Sequence, residues 1–268
     1  MIKEAMEDIT IIIPLKEFTE EMHTYAKRAF ETIPEAVSKV LFVGPQDICT
    51  EAIAFYKENH IGELPITAVV VNNDTDVYTQ INKAVFACTT PYFSILEFDD
   101  AYTNIWFDEF LRYQEYNQDV AVYLPIVELV NTDDKIVGFE NEIAWATSFS
   151  GDELGYLDTD CLMSFMDFNV TGSIIKTEDF ISVGGLKPSM LIAAWYEFLL
   201  RVTNNGKNIY VVPKAGYRHT VNREGSYLTE AIKDITSEHG KWLIDTAREE
   251  YKYKESRNLA FTPNTKEE

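Results

Sequence analysis

The stretch "SILEFDDAYTNIWF", residues 94–107, leaves an apolar run and sets Glu97, Asp99 and Asp100 close together before an aromatic helix begins. Carboxylates at such a spacing offer hard oxygen ligands to a divalent cation, and a cation held there neutralises a phosphate-bearing ligand that the acids alone would repel. The bland use of the same residues is a solvated turn, with Asp100 or Thr103 capping the helix that follows. Lys16, just past the first apolar run, is placed to touch a phosphate or to stand as a solvated loop lysine.

Whether those acids sit at a ligand site depends on the elements that carry them. "ITIIIP" (9–14), "VLFV" (40–43), "AVVV" (68–71) and "YFSIL" (92–96) are continuous apolar runs. Each of the first three is followed by a stretch with helical periodicity: Met22, Tyr25, Ala26 and Phe30; then Ile48, Ala52, Ile53 and Tyr56; then Tyr78, Ile81, Ala84, Val85 and Cys88. Unbroken apolar strands alternating with amphipathic helices predict a parallel sheet covered on both faces. In such a sheet ligands bind beyond the carboxyl ends of the strands, which is where Glu97, Asp99 and Asp100 fall. No G-x-G-x-x-G follows the first strand, and Gly44 is the lone glycine near an early strand end, so a dehydrogenase-type dinucleotide site is disfavoured.

Beyond residue 118 the pattern changes. Residues 120–130, 136–146 and 169–176 read as strands, residues 191–202 as a helix ending near "NNGK", and 209–213 as a last strand. Residues 147–168 mix Gly, Ser and acid without a steady period, which predicts a loop over a site. From Leu228 to about Arg257 a charged amphipathic helix is expected, then a polar tail. The division that follows is a main domain over 1–227 and a C-terminal helix and tail over 228–268.

Composition narrows the partners. With 23 basic against 44 acidic side chains the formal net charge is -21, and no Lys/Arg stripe offers the phosphate neutralisation that nucleic acid needs. A small phosphate ligand bridged by a cation survives that argument. The 3 cysteines, Cys49, Cys88 and Cys161, are odd in number and widely spaced, which fits a reducing compartment. The run "ITIIIPL" is too short to cross a bilayer, so no transmembrane segment is expected. His23, His60 and His239 lack partners at metal spacing and read as surface or capping histidines.

Four segments in order resemble the family 2 glycosyltransferases of GT-A fold: "DITIIIPLK", "QINKAVFACTTPYFSILEFDD", "NVTGSIIKTEDFISVGGLKPS" and "WYEFLLRVTNNGKNIYVVPKAGYRH". They span roughly residues 8–226. The resemblance implies an α/β GT-A (Rossmann-like) fold, a mostly parallel sheet flanked by helices, with a C-terminal helical extension. It implies a hexosyltransferase-like enzyme that moves a sugar from a nucleotide-sugar donor to an unidentified acceptor with Mn²⁺ or Mg²⁺ as cofactor. It assigns the metal to Asp99 and Glu97, with His219 of "GYRH" as a further ligand, and the nucleotide to Pro14, Lys16, Asp47, Asn82 and Glu97.

The chain departs from that family at three places. Glu97 stands where an Asp is usual, and "VGPQD" replaces an acid-rich turn after the second strand, leaving only Asp47 to compensate. Aligning on Arg201 puts Ala194 and Trp195 where the family has its Glu-Asp pair, whose Asp is the expected general base. Neither side chain takes a proton from an acceptor hydroxyl. Asp158, Asp160 and Glu197 are the replacement candidates. The competing expectation is therefore a catalytically reduced GT-A domain, a binding or structural component of a larger assembly, joined through its C-terminal helix to a homo-oligomer or other partner, in the cytoplasm or in a viral particle. A nucleotidyltransferase is disfavoured because "PLKEFTEE" lacks a Gly-rich basic loop.

Overall fold

Five of the six residues of Ile9–Pro14 (β1) are buried, as a strand covered on both faces requires. The computed structural model describes residues 6, 8–59, 64–142, 155–223, 226 and 235–252. After β1 the chain forms His23–Glu31 (α1), Lys39–Gly44 (β2), Gln46–Asn59 (α2), Ile66–Val70 (β3), Val77–Phe86 (α3) and Tyr92–Ile95 (β4). β1 pairs in parallel with β2 and β4, and β2 with β3. Gly44 ends β2 against the chain leaving β1: a β-carbon there would lie 2.5 Å from the Leu15 carbonyl oxygen, so the two strand ends close up only around glycine.

The second half supplies Ala101–Tyr102 (β5), Trp106–Tyr116 (α4), Val120–Val130 (β6), Ile136–Glu140 (β7), Tyr156–Leu157 (β8) and Thr159–Ser164 (α5). Ile174–Lys176 (β9), Thr177–Ser182 (α6), Ala194–Asn204 (α7), Asn208–Thr220 (β10) and Ser237–Tyr251 (α8) complete it. The strand order is β3-β2-β1-β4-β9-β6-β10-β5, with β7 on β6 and β8 on β10. β9 is antiparallel to both β4 and β6, whereas β6 and β10 are parallel. This is the expected α/β architecture, a curled, mostly parallel sheet flanked by helices.

Two apolar layers cover the sheet. One joins Ala26, Phe30, Tyr56, Trp106 and Phe110 from α1, α2 and α4. The other joins Ile81, Phe180, Phe198, Ala247 and Tyr251 from α3, α6, α7 and α8. The helix α8 thus shares the second layer with α7, and Leu243 is buried beside them. Among the described residues, no helix is long and apolar enough to cross a membrane.

Some element limits differ from expectation for local reasons. In 169–176 only β9 is strand, because Asn169 Oδ1 accepts from the Thr171 amide at 2.8 Å and Gly172 turns at φ 69°. The helix expected from Leu191 begins at Ala194, since Leu191 itself takes φ 47°, ψ −124° inside the 3₁₀ segment Pro188–Ala193. The expected strand over 136–146 stops at Glu140, with 143–146 outside the described residues. Residues 147–154 of the expected loop, and 228–234 and 253–268 of the expected C-terminal helix and tail, also lie outside them.

Candidate active site

Beyond β4 the sheet pairing persists for one more residue, with the Leu96 amide donating to the Ile12 carbonyl at 2.9 Å. The chain then turns: the Asp100 amide donates to the Glu97 carbonyl at 3.1 Å, which folds Asp100 back beside Glu97. β10 receives this turn. The Thr220 amide donates to Asp100 Oδ1 at 2.8 Å, and the Glu97 amide donates to the Tyr217 hydroxyl at 3.2 Å. His219, between those two β10 residues, has Nδ1 2.9 Å from Asp100 Oδ2.

Glu97, Asp100 and His219 accordingly offer ligand atoms that all lie within 4.8 Å of one another. Burial raises the Glu97 carboxyl to about 8, with the Asp100 carboxylate adding to the effect and His219 opposing it. Burial disfavours the His219 imidazolium, yet Asp100, Glu97 and Asp99 outweigh that and raise it to about 10. Without an ion the His219 imidazolium is itself the counter-charge of these acids. Two carboxylate oxygens with one neutral imidazole nitrogen are a donor set that a divalent cation accepts, and its binding would release the imidazolium proton.

Asp99 is differently engaged. Its Oδ2 accepts from Arg223 Nε at 2.5 Å, and the Arg223 guanidinium lies 4.8 Å from the centre of the Phe98 ring. Burial and the neighbouring Asp100 raise the Asp99 carboxyl, while Arg223 holds it down.

A cavity of about 1260 Å³ opens beside these groups and is lined by Glu97, Asp99, His219 and Arg223. Pro14 and Lys16 at the end of β1 line it, as does Trp195 at the start of α7. Asp47, Asn82, Asp158, Asp160 and Glu197 do not line it. Asp47 is exposed in the first turn of α2. Asn82 exchanges two hydrogen bonds with the Leu186 backbone, at 2.9 and 2.8 Å, and pins the Gly184–Gly185 turn to α3. Asp158 caps α5 by accepting from the Cys161 amide at 2.7 Å, and Asp160 is exposed in that helix. Glu197 is 1% exposed and lies between Arg201 at 2.9 Å, Lys187 at 2.8 Å and the Tyr251 hydroxyl.

Several cavity residues carry no local sequence signal for a site. Asp74 and Asp76 precede α3, Asp167 lies in an irregular stretch, and Glu140 ends β7. His239, read from the sequence as a capping or surface residue, also lines the cavity from the first turn of α8. A basic residue just past the strand that carries His219 is the available clue, and it marks Arg223.

No family model and no curated protein matches this chain. Solved structures do. The crystal structure of S. aureus TarS is similar with a TM-score of 0.57 at 14% identity, over 96% of this chain and 46% of that one. The structure of S. aureus TarS 1-349 in complex with UDP-GlcNAc is similar with a TM-score of 0.60 at 12% identity, over 96% of this chain and 76% of that one. This chain therefore spans less than half of the longer TarS chain. At these identities the likeness establishes the fold alone, a GT-A-like α/β fold.

Proposed function

We propose that this chain is a metal-dependent glycosyltransferase domain of the family 2 kind, which binds a nucleotide-sugar in the cavity and passes its sugar to a separate acceptor. The observation that carries the reading is the convergence of Glu97, Asp100 and His219 beside a large cavity at the carboxyl end of the parallel strands. The likeness to TarS, one of whose structures holds UDP-GlcNAc, supports it.

In this reading Glu97, Asp100 and His219 would hold Mn²⁺ or Mg²⁺, with the imidazole nitrogen favouring Mn²⁺. The cation supplies charge neutralisation for the leaving diphosphate. Asp99, paired with Arg223 here, would be a further candidate ligand, and Arg223 would offer its guanidinium to the diphosphate. Pro14 and Lys16 border the nucleotide, while Asn82 acts through the turn it holds and Asp47 only from outside the cavity. Asp158, Asp160 and Glu197 contribute as bases only if the loop or the α7–α8 contact rearranges; Asp74, Asp76, Glu140 and Asp167 already line the cavity.

A second reading, a GT-A domain with reduced transfer chemistry that works as part of an assembly, is favoured by Trp195, whose indole lines the cavity where the resemblance places the base. In that reading the exposed Trp242 on α8 would be available to such an assembly. Calorimetry with UDP, Mn²⁺ and EDTA tests what the two readings share. UDP binding that requires Mn²⁺ and is lost in Asp100→Ala supports it; equal affinity in EDTA refutes it. Donor hydrolysis by the same protein then separates enzyme from binding module.

A further inference from the structure

The cavity is lined from two sides of different chemistry. Pro14, Lys16, Asn73 and Asp76 come from the carboxyl ends of β1 and β3, the edge at which a parallel sheet receives a nucleotide. Leu191, Ile192, Trp195 and His239 come from the segment that runs into α7 and from the first turn of α8.

The second wall is held in place with some force. Leu191 keeps φ 47°, ψ −124°, a backbone region that a β-carbon resists and that persists only where the surroundings fix it. Trp195 meets Phe198 edge-on, with ring centres 5.7 Å apart at 85°, and stays half-buried, so its indole is anchored on one side and open on the cavity side. Gly240 brings α8 against this wall: a β-carbon there would lie 3.2 Å from Ile192 Cδ1.

Charge selects what the cavity as a whole accepts beside a nucleotide whose own charge a cation would neutralise. Apart from the metal cluster, the carboxylates of Glu17, Asp74, Asp76, Glu140 and Asp167 line the cavity against the cations of Lys16 and Arg223, and Arg223 is paired with Asp99. An anionic acceptor would meet net repulsion. A lipid chain would strip water from those carboxylates without replacing their hydrogen bonds. A sugar ring satisfies both features, with an apolar C–H face for the indole and hydroxyl donors around its edge for the acids.

We propose that Trp195 is the platform of an acceptor subsite whose occupant is an uncharged, pyranose-bearing saccharide. The inference rests on the donor reading above and deepens it by naming the acceptor class. The test is saturation-transfer NMR and calorimetry on the full chain with UDP and Mn²⁺ present, using maltotriose, cellotriose and chitotriose as neutral probes and glucose 6-phosphate as an anionic one. At least one neutral probe is expected to bind more tightly than the phosphorylated sugar. Trp195→Ala should weaken it about tenfold and Trp195→Phe much less, with UDP·Mn²⁺ affinity unchanged in both variants. Normal UDP·Mn²⁺ binding with no neutral saccharide bound, or with saccharide binding indifferent to Trp195→Ala, overturns the acceptor subsite alone. Preference for the phosphorylated sugar, or for a cationic peptide added as a competitor, overturns it as well. Absence of UDP·Mn²⁺ binding overturns the donor reading and this inference with it.

Discussion

Arg28 Nη2 donates to the main-chain carbonyl of Asp99 at 2.8 Å and to Thr220 Oγ1 at 2.9 Å, so one guanidinium from α1 clasps the acid turn to the strand that bears His219. Thr220 Oγ1 itself donates to the same Asp99 carbonyl, and Arg28 Nη1 reaches Asp134 at 3.1 Å in the turn between β6 and β7. Charge-assisted bonds of this kind fix the backbone beside the candidate ligands Asp100 and His219 without supplying a ligand.

Arg28→Met should therefore act on the cation before it acts on the nucleotide. Loss of the clasp is expected to weaken Mn²⁺ binding about 10–100-fold, the range seen for groups that orient ligands. It should also lower stability by about 1.5–3 kcal/mol, because hydrogen bonds to a charged group are removed. Paramagnetic Mn²⁺ titration beside a chemical denaturation curve checks both. Unchanged Mn²⁺ affinity with the full stability loss would reduce Arg28 to a structural residue.

Asp99 and Asp100 should separate when each is replaced by its amide. Asp100 faces both Glu97 and His219, whereas the Asp99 carboxylate faces Arg223. Asp100→Asn is expected to remove Mn²⁺-dependent UDP binding. Asp99→Asn should spare most Mn²⁺ affinity and release Arg223, to be read by calorimetry of Mn²⁺ alone and then of UDP. Equal losses in both variants would make Asp99 a ligand of the same rank.

The sheet was legible because its strands are unbroken apolar runs and its helices keep a steady period, and neither depends on distant residues. The acids of "LEFDD" and His219 were legible as residue types at strand ends. Arg28 was not, since its partners lie 71 and 192 positions along the chain and no local pattern brings them together. Asn82 shows what a motif leaves out: position alone suggests a ligand contact, whereas the fold bonds both polar atoms of its amide to the Leu186 backbone. His239 was masked by an ordinary helix-end setting, and only the packing of α8 on α7 turns it toward the cavity.

Glu197 ties α7 to α8. Burial alone would raise its carboxyl, but hydrogen bonds from Arg201, Lys187 and Tyr251 outweigh burial and hold it below the usual carboxylate value. A carboxyl whose folded value is depressed stabilises the fold at pH above its unfolded value of about 4.3, and that contribution fades as pH falls through the folded value. Stability should decline below about pH 5 in the parent protein and decline less in Glu197→Gln. At pH 7 Glu197→Ala should cost about 3–5 kcal/mol, because it leaves Arg201 buried without its partner. Denaturation curves from pH 3 to 7 read both effects; identical pH slopes for parent and Gln variant would remove Glu197 from the account.

Trp195→Asp decides between enzyme and binding module. If the cavity lacks a base, the parent protein should bind a UDP-sugar and hydrolyse it slowly. An acid placed at 195 should then raise hydrolysis by about 10²–10⁴, the usual contribution of general-base catalysis. Hydrolysis is the proper readout, because the same substitution removes the indole on which an acceptor saccharide would stack and would depress transfer for a separate reason. Trp195 is half-buried, so the variant should lose about 1–2 kcal/mol, less than the 3–5 kcal/mol of a fully buried aromatic, and it should remain folded. Rapid donor hydrolysis by the parent, unaltered in Trp195→Asp but lost in Asp167→Asn or Asp76→Asn, would instead place the base among the carboxylates that already line the cavity. Slow hydrolysis in parent and variant alike, with UDP·Mn²⁺ bound normally, would leave the domain as a nucleotide-sugar binding module.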